Sequence, residues 1–275
     1  MKAFYNVRHF RSGLSKVVAA ATLLAGAGVA VAAPIAYQHG YDGNALPEDA
    51  ATDPQWGTFQ TTGTSSVSGG ILTVTTVNGP PNTNEAWGMG TQANTPIAVQ
   101  PVYGDGAAGW NAVPATGSTV DFRVKITSDF NKRPLQLLVS DGVKSVSFQF
   151  SDNDILGFGT SQTFIDRDNS AYQTFRVAFQ NGFASLYVHS QAAPLINNIA
   201  AANTFQSRNM MFMGDFSAGD HGTFDLDLLY WSNATAEFSA PPEFPVIPEP
   251  ATLGLLGLSV LPMLRCRRNR CGCRW

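Results

Sequence analysis

Few side chains in this sequence could do chemistry, and most of those are acidic. Asp225 and Asp227 fall two apart in the run Thr223 to Trp231, so a strand there would put both carboxylates on one face and Leu226 and Leu228 on the other. With Asp215 or Asp220 from the preceding loop they could hold a structural Ca2+, a hard cation that takes clustered oxygen ligands. A solvated strand face is the simpler reading of the same spacing, and the pattern favours it. Asp152-Asn153-Asp154 reads as a turn, because Asn and Asp side chains bond their own backbone.

Among the aromatics, Trp56, Trp87, Tyr103, Trp110 and Trp231 could stack on sugar rings, since an exposed ring offers a flat apolar face. Burial is the commoner fate of such large rings and is expected for Trp56 and Trp231. Trp87, Tyr103 and Trp110 lie in connections rich in Gly, Asn and Pro, where binding residues often sit. His39, His189 and His221 are isolated in sequence, and no H-E-x-x-H, G-x-S-x-G, P-loop or G-x-G-x-x-G is present. All three cysteines, Cys266, Cys271 and Cys273, fall in the last ten residues, far from any histidine that could complete a metal cluster.

The elements that would position these groups are strands. In Val120, Phe122, Val124 and Ile126 the apolar side chains alternate with Thr119, Asp121, Arg123, Lys125 and Thr127, the pattern of a half-buried antiparallel strand. Asp141-Gly142 sits between strand candidates 135–140 and 143–150, and Asn181-Gly182 between 173–180 and 183–189. Both dipeptides favour the positive φ angles of tight hairpin turns. Further strands are expected over 71–77, 210–214 and 223–231, and no segment between 40 and 236 carries a convincing amphipathic helix. Many short strands with Gly, Asn, Asp and Pro turns imply an all-β, antiparallel two-sheet sandwich. Phe122, Phe148, Phe150, Phe175, Phe179, Leu186 and Phe224 are its expected core.

Charge divides the chain of 275 residues into three segments. Residues 1–32 carry four basic and no acidic groups, 33–247 carry 8 basic and 19 acidic, and 248–275 carry five basic and one acidic. The acidic middle argues against nucleic acid, whose binding needs clustered Lys and Arg. Lys2, Arg8, Arg11 and Lys16 precede an apolar run from Val17 to Val31 that ends in small residues, the pattern of a secretory signal peptide cleaved after Ala32. That implies a helical signal segment read by the Sec translocon and signal peptidase.

At the other end, Pro248-Glu249-Pro250, the apolar run 251–264 and the arginines Arg265, Arg267, Arg268, Arg270 and Arg274 resemble the PEP-CTERM sorting signal of Gram-negative bacteria that make exopolysaccharide. The resemblance implies that an integral-membrane exosortase reads Pro248, Glu249 and Pro250 after export across the inner membrane, and releases the protein to the surface or matrix. Arg265, Arg267 and Arg268 would set the topology by the positive-inside rule. A run of 14 residues makes about 21 Å of helix against a hydrocarbon core of about 30 Å, so contact through this short transmembrane helix is expected to be transient. A permanent tail anchor is the alternative. Residues 237–247, with Pro241, Pro242 and Pro245, are expected to be a stiff linker.

For the exported domain, residues 33–236, the order of features is similar to concanavalin A-like (laminin-G-like) jelly rolls. It runs from Tyr41-Asp42-Gly43-Asn44 through Trp56, Gly69-Gly70-Ile71 and the two hairpins to Gly214-Asp215-Phe216 and Asp225 to Trp231. This resemblance implies a carbohydrate-related fold, sometimes with structural Ca2+. Glycosidases on this fold present paired carboxylates, commonly as Glu-x-Asp-x-(x)-Glu along one strand. Glu48, Glu85, Glu237 and Glu243 do not stand in that pattern. The sequence therefore leads to the expectation of a non-catalytic exported protein, one that binds carbohydrate in the exopolysaccharide matrix. A polysaccharide lyase or glycoside hydrolase is the alternative.

Overall fold

The computed structural model describes residues 35–49, 51–60, 63–77, 85–92, 104–128, 132–204, 207–215 and 220–244. The signal segment 1–32, Tyr103, and the whole of 248–275 lie outside these residues. Among the described residues no helix is long and apolar enough to cross a membrane. What they form is antiparallel β-structure in two sheets.

The first sheet contains β1 (His39–Tyr41), β3 (Thr64–Ser68), β4 (Ile71–Thr76), β6 (Ser118–Ser128), β11 (Gln173–Gln180), β12 (Phe183–Val188), β13 (Ile196–Ala200) and β15 (Gly222–Ser232). The second contains β2 (Gly57–Gln60), β5 (Ala86–Gln92), β7 (Leu135–Asp141), β8 (Ser145–Phe150), β9 (Asp154–Phe158), β10 (Gln162–Asp166) and β14 (Arg208–Gly214). We call them sheet A, ordered β13-β12-β11-β6-β15-β4-β3 with β1 added to β15, and sheet B, ordered β10-β9-β8-β7-β14-β5-β2. The expected sandwich is present.

Alternation in the sequence explains the packing. Val120, Phe122, Val124 and Ile126 of β6 are buried against Phe148 and Phe150 of β8 and Phe175, Val177 and Phe179 of β11. Phe122 stacks on Phe175 at 5.5 Å and meets Phe150 edge-on at 5.5 Å. All seven expected core residues are buried, each contributing on the order of 1.5 to 3 kcal/mol.

Both expected hairpins form, one with a shift. Asn181 and Gly182 take φ of 52° and 76° at the centre of the β11–β12 turn, as a type I′ turn requires. In the β7–β8 turn the central pair is Gly142 and Val143, because Ser140 pairs with Ser145 and the Asp141 amide donates to the Lys144 carbonyl. Asp141 instead caps the turn, its Oδ1 accepting the Val143 and Lys144 amides at 2.9 and 2.8 Å.

Strict alternation fails in β15. The register against β6 shifts between Leu226 and Leu228, leaving Asp227 as the extra residue of a bulge. Phe224 and Leu226 before the bulge, and Leu229 and Trp231 after it, therefore all face the core. The expectation that Leu226 and Leu228 share a face is corrected: Leu228 lies outside the core cluster.

Residues 237–244 are also not a free leash. The Ala236 and Glu237 amides bond Thr116 and the Thr119 hydroxyl, Arg176 Nη1 reaches Ser239 and Ala240, and Phe244 packs on Tyr230 at 5.5 Å. This stretch is a strap laid on the outer face of sheet A.

Candidate functional site

The residues singled out by chemistry are dispersed by the fold. Trp87 and Trp110 have no exposed surface. Trp87 shares the inward phase of β5 with Met89, and the Trp110 indole donates to the Ser140 carbonyl at 2.9 Å. Neither can stack on a ligand, which corrects that expectation. Trp56 and Trp231 are buried as expected and meet edge-on at 5.6 Å.

The proposed Ca2+ ligands do not converge. Asp225 Oδ1 accepts the Thr73 hydroxyl at 2.8 Å and its Oδ2 pairs with Lys125 at 3.1 Å, while Asp227 pairs with Arg123 at 2.8 Å. Asp220 accepts the Arg133 amide, and Asp215 is buried beside Glu85, whose carbonyl takes its amide. Among the described residues no three carboxylate, His or Cys side chains are placed to hold a metal ion. In the 152–154 turn, Asp154 receives a bidentate Arg133 at 2.8 and 2.9 Å.

The outer face of sheet A carries a row of ion pairs, Asp121–Arg176 and Arg123–Asp227 buried and Lys125–Asp225 open to solvent. Asp121 of β6 receives Arg176 of β11 through two bonds of 2.7 Å, and the Tyr37 hydroxyl donates to the same carboxylate. Burial pushes the Asp121 carboxyl upward, opposed by the Arg176 guanidinium. Burial likewise raises Asp227 against the pull of Arg123. Tyr37 and the stretch 236–244 cover part of this face, which sequence alternation alone could not reveal.

The outer face of sheet B carries a groove of about 210 Å3. Cross-strand register builds it in rows. Leu138, Ser147 and Phe158 stand abreast on β7, β8 and β9, and Gln136 stands beside Gln149 with their amides 3.5 Å apart. Ser145 and Thr204 close one end, where Ala202 exchanges backbone bonds with Ser145. The lining thus combines hydroxyls and amides, which donate and accept, with one half-exposed ring: Phe158 is 41 % accessible. It has no ionisable side chain. Such a surface suits a neutral polyhydroxyl chain, matching hydroxyls to amides and one sugar face to a ring.

A second acidic feature escaped the sequence reading. Glu85 is buried immediately before β5, its Oε1 accepting the Ser65 hydroxyl at 3.0 Å and its Oε2 without a partner among the described residues. Burial raises its pKa, and the nearby charge of Glu48 adds to the rise. Glu48 in turn accepts the Trp87 indole at 2.6 Å. The two glutamates are 37 positions apart by number, so no local pattern announces them.

No family model matches this chain and no curated protein matches it. Among solved structures it is similar to a carbohydrate esterase from the Shiga toxin-encoding bacteriophage phi24B, at 13 % identity over 71 % of this chain and 97 % of that one, with a TM-score of 0.42. It is similar to the Crh5 transglycosylase, at 12 % identity over 73 % and 86 %, TM-score 0.44. A Mycobacterium abscessus protein assigned as a β-glucanase matches at 10 % identity over 72 % and 100 %, TM-score 0.42. All three carry the names of enzymes. The expectation that the domain is not an enzyme does not stand. That exclusion rested on one missing strand motif, and fold and motif do not settle activity.

Proposed function

We propose that this is an exported, carbohydrate-active protein with a domain of jelly-roll type, which takes a neutral glycan in the groove on sheet B. The observation that carries the reading is the row Leu138, Ser147 and Phe158, flanked by Gln136 and Gln149. Hydroxyl and amide groups there flank an apolar ring without a charge. The export and sorting part rests on sequence: the basic, apolar and small-residue start, and Pro248-Glu249-Pro250 ahead of an apolar run and arginines. An exosortase is the partner that this pattern calls for, and the exopolysaccharide around the cell is the glycan within reach.

Retention of the full chain on immobilised neutral polysaccharide tests the groove. Gln149→Ala with Phe158→Ala should abolish retention while leaving the fold intact. Unchanged retention removes the groove from the argument. For sorting, Glu249→Ala should leave the protein in the membrane fraction at higher mass, and identical fractions and masses would refute that part.

A second reading, a glycoside hydrolase or polysaccharide lyase, is favoured by Glu85 and Glu48. A carboxyl whose pKa is raised by burial, beside a second carboxylate, is the arrangement that general acid catalysis on sugars uses. Its test is release of new sugar ends by the full chain, lost in both Glu85→Gln and Glu48→Gln.

A further inference from the structure

The strap does more than cover sheet A. Where it passes β11 and β12 it borders an open pocket of about 270 Å3, with Arg123, Tyr172, Thr174 and His189 on the sheet side and Glu243 and Phe244 on the strap side. We infer that this pocket is a second site for a neutral sugar unit, built jointly by sheet A and the strap. The inference rests on the carbohydrate reading above but uses none of the groove's residues.

Its chemistry is specific. One aromatic ring comes from each wall, Tyr172 and Phe244, and the Tyr172 ring is held by Arg123 and Lys125 at 5.2 and 5.5 Å from its centroid. The Arg123 charge is already met by Asp227, so the pocket does not offer a free cation to a phosphate or uronate. His189 Nδ1 lies 3.0 Å from the Pro241 carbonyl, the geometry of a donated proton, and its Nε2 stands 3.9 Å from Glu243. That gap is too long for a hydrogen bond, and it leaves Nε2 and the Glu243 carboxylate as two acceptors side by side, each able to take a proton from one of two neighbouring sugar hydroxyls. A carboxylate beside an imidazole, a threonine hydroxyl and two rings is a complete set of contacts for a pyranose.

Two consequences follow from the position. Occupancy would hold the strap down, because Glu243 and Phe244 contribute contacts that exist only when it is docked. A site on each outer face of the sandwich would also let one molecule bridge two glycan strands, raising avidity without any new contact.

Calorimetric titration of the full chain with β-linked glucose, galactose and mannose tetrasaccharides tests this, together with chymotrypsin cleavage after Phe238. The wild type should show two binding events and slower cleavage with sugar. Gln149→Ala with Phe158→Ala should remove one event and leave the protection. In that background Phe244→Ala or Tyr172→Ala should weaken the remaining event at least tenfold and abolish protection. Glu243→Gln, on an exposed side chain that folding does not need, should weaken it as well. If the groove variant loses all binding, the second site is refuted while the groove stands. Binding that survives the strap variants also refutes it, and no binding by the wild type removes both sites.

Discussion

Arg176 and Asp121 face each other across β11 and β6 in a two-bond ion pair whose side chains are 3 % and 0 % exposed. The remaining Arg176 nitrogen serves the strap at Ser239 and the Tyr37 hydroxyl lies against the same carboxylate. One buried pair therefore joins both ends of the domain to the middle of sheet A.

Breaking that pair should cost about 3 to 5 kcal/mol, because a buried charge is left without its partner. Asp121→Ala is expected to lower the urea midpoint strongly and to speed chymotryptic cleavage of the strap. Replacing both partners by apolar residues should recover much of the stability. A single substitution that leaves the midpoint unchanged would show that the pair does not close the domain.

Glu85 predicts a pH dependence of definite sign. Its folded pKa is raised by burial first, and then by Glu48, above the ordinary 4.5. The protonated form is thus favoured by folding, a contribution complete below 4.5 and lost as pH rises through the raised value. Glu85→Gln should be more stable than wild type at neutral pH, with a difference that shrinks on acidification towards pH 4. Thermal melts across pH 4 to 8 decide it, and a constant difference would contradict the assignment.

Trp110 and Phe158 should behave oppositely. Trp110→Ala removes a fully buried ring and its hydrogen bond to the Ser140 carbonyl, at a cost of about 3 to 5 kcal/mol. Phe158→Ala, on a half-exposed ring, should change stability by about 0.5 kcal/mol or less and weaken glycan retention. Denaturation and affinity chromatography on the two variants separate core from site.

Asp227 should respond to loss of its partner rather than to calcium. Arg123→Met leaves a buried carboxylate unpaired and is expected to destabilise, and millimolar Ca2+ should not restore the melting temperature of that variant. Full restoration by Ca2+ would return Asp227 to the list of metal ligands.

Much of the sandwich was legible because period-two alternation is a local property. The strands through Val120 to Ile126, Phe175 to Phe179 and Phe183 to Val188 could be placed to within a residue or two. The short strands β1, β2, β9 and β10 were not legible: three to five residues carry little periodicity, and their pairing is imposed by neighbours. The β15 bulge was invisible for a related reason. One extra residue reverses the phase, so Phe224 and Trp231, seven apart, both face inward although strict alternation puts them on opposite sides.

The candidate site was the least legible part. Trp87 and Trp110 looked like binding residues because Gly, Asn and Pro surround them, yet the space between the sheets had to be filled by large rings and took them. The groove residues Gln136, Ser147, Gln149 and Phe158 carry no motif, since they meet only through the register of β7, β8 and β9. By itself the sequence determined the all-β class, the core phenylalanines, one hairpin turn to the residue and the expectation of export, because periodicity, turn chemistry and charge order are written along the chain. Tertiary structure alone decided which carboxylates are neutralised by arginines, which rings are buried and where the strap lies. Those outcomes depend on side chains far apart in sequence competing for the same few ångströms of space.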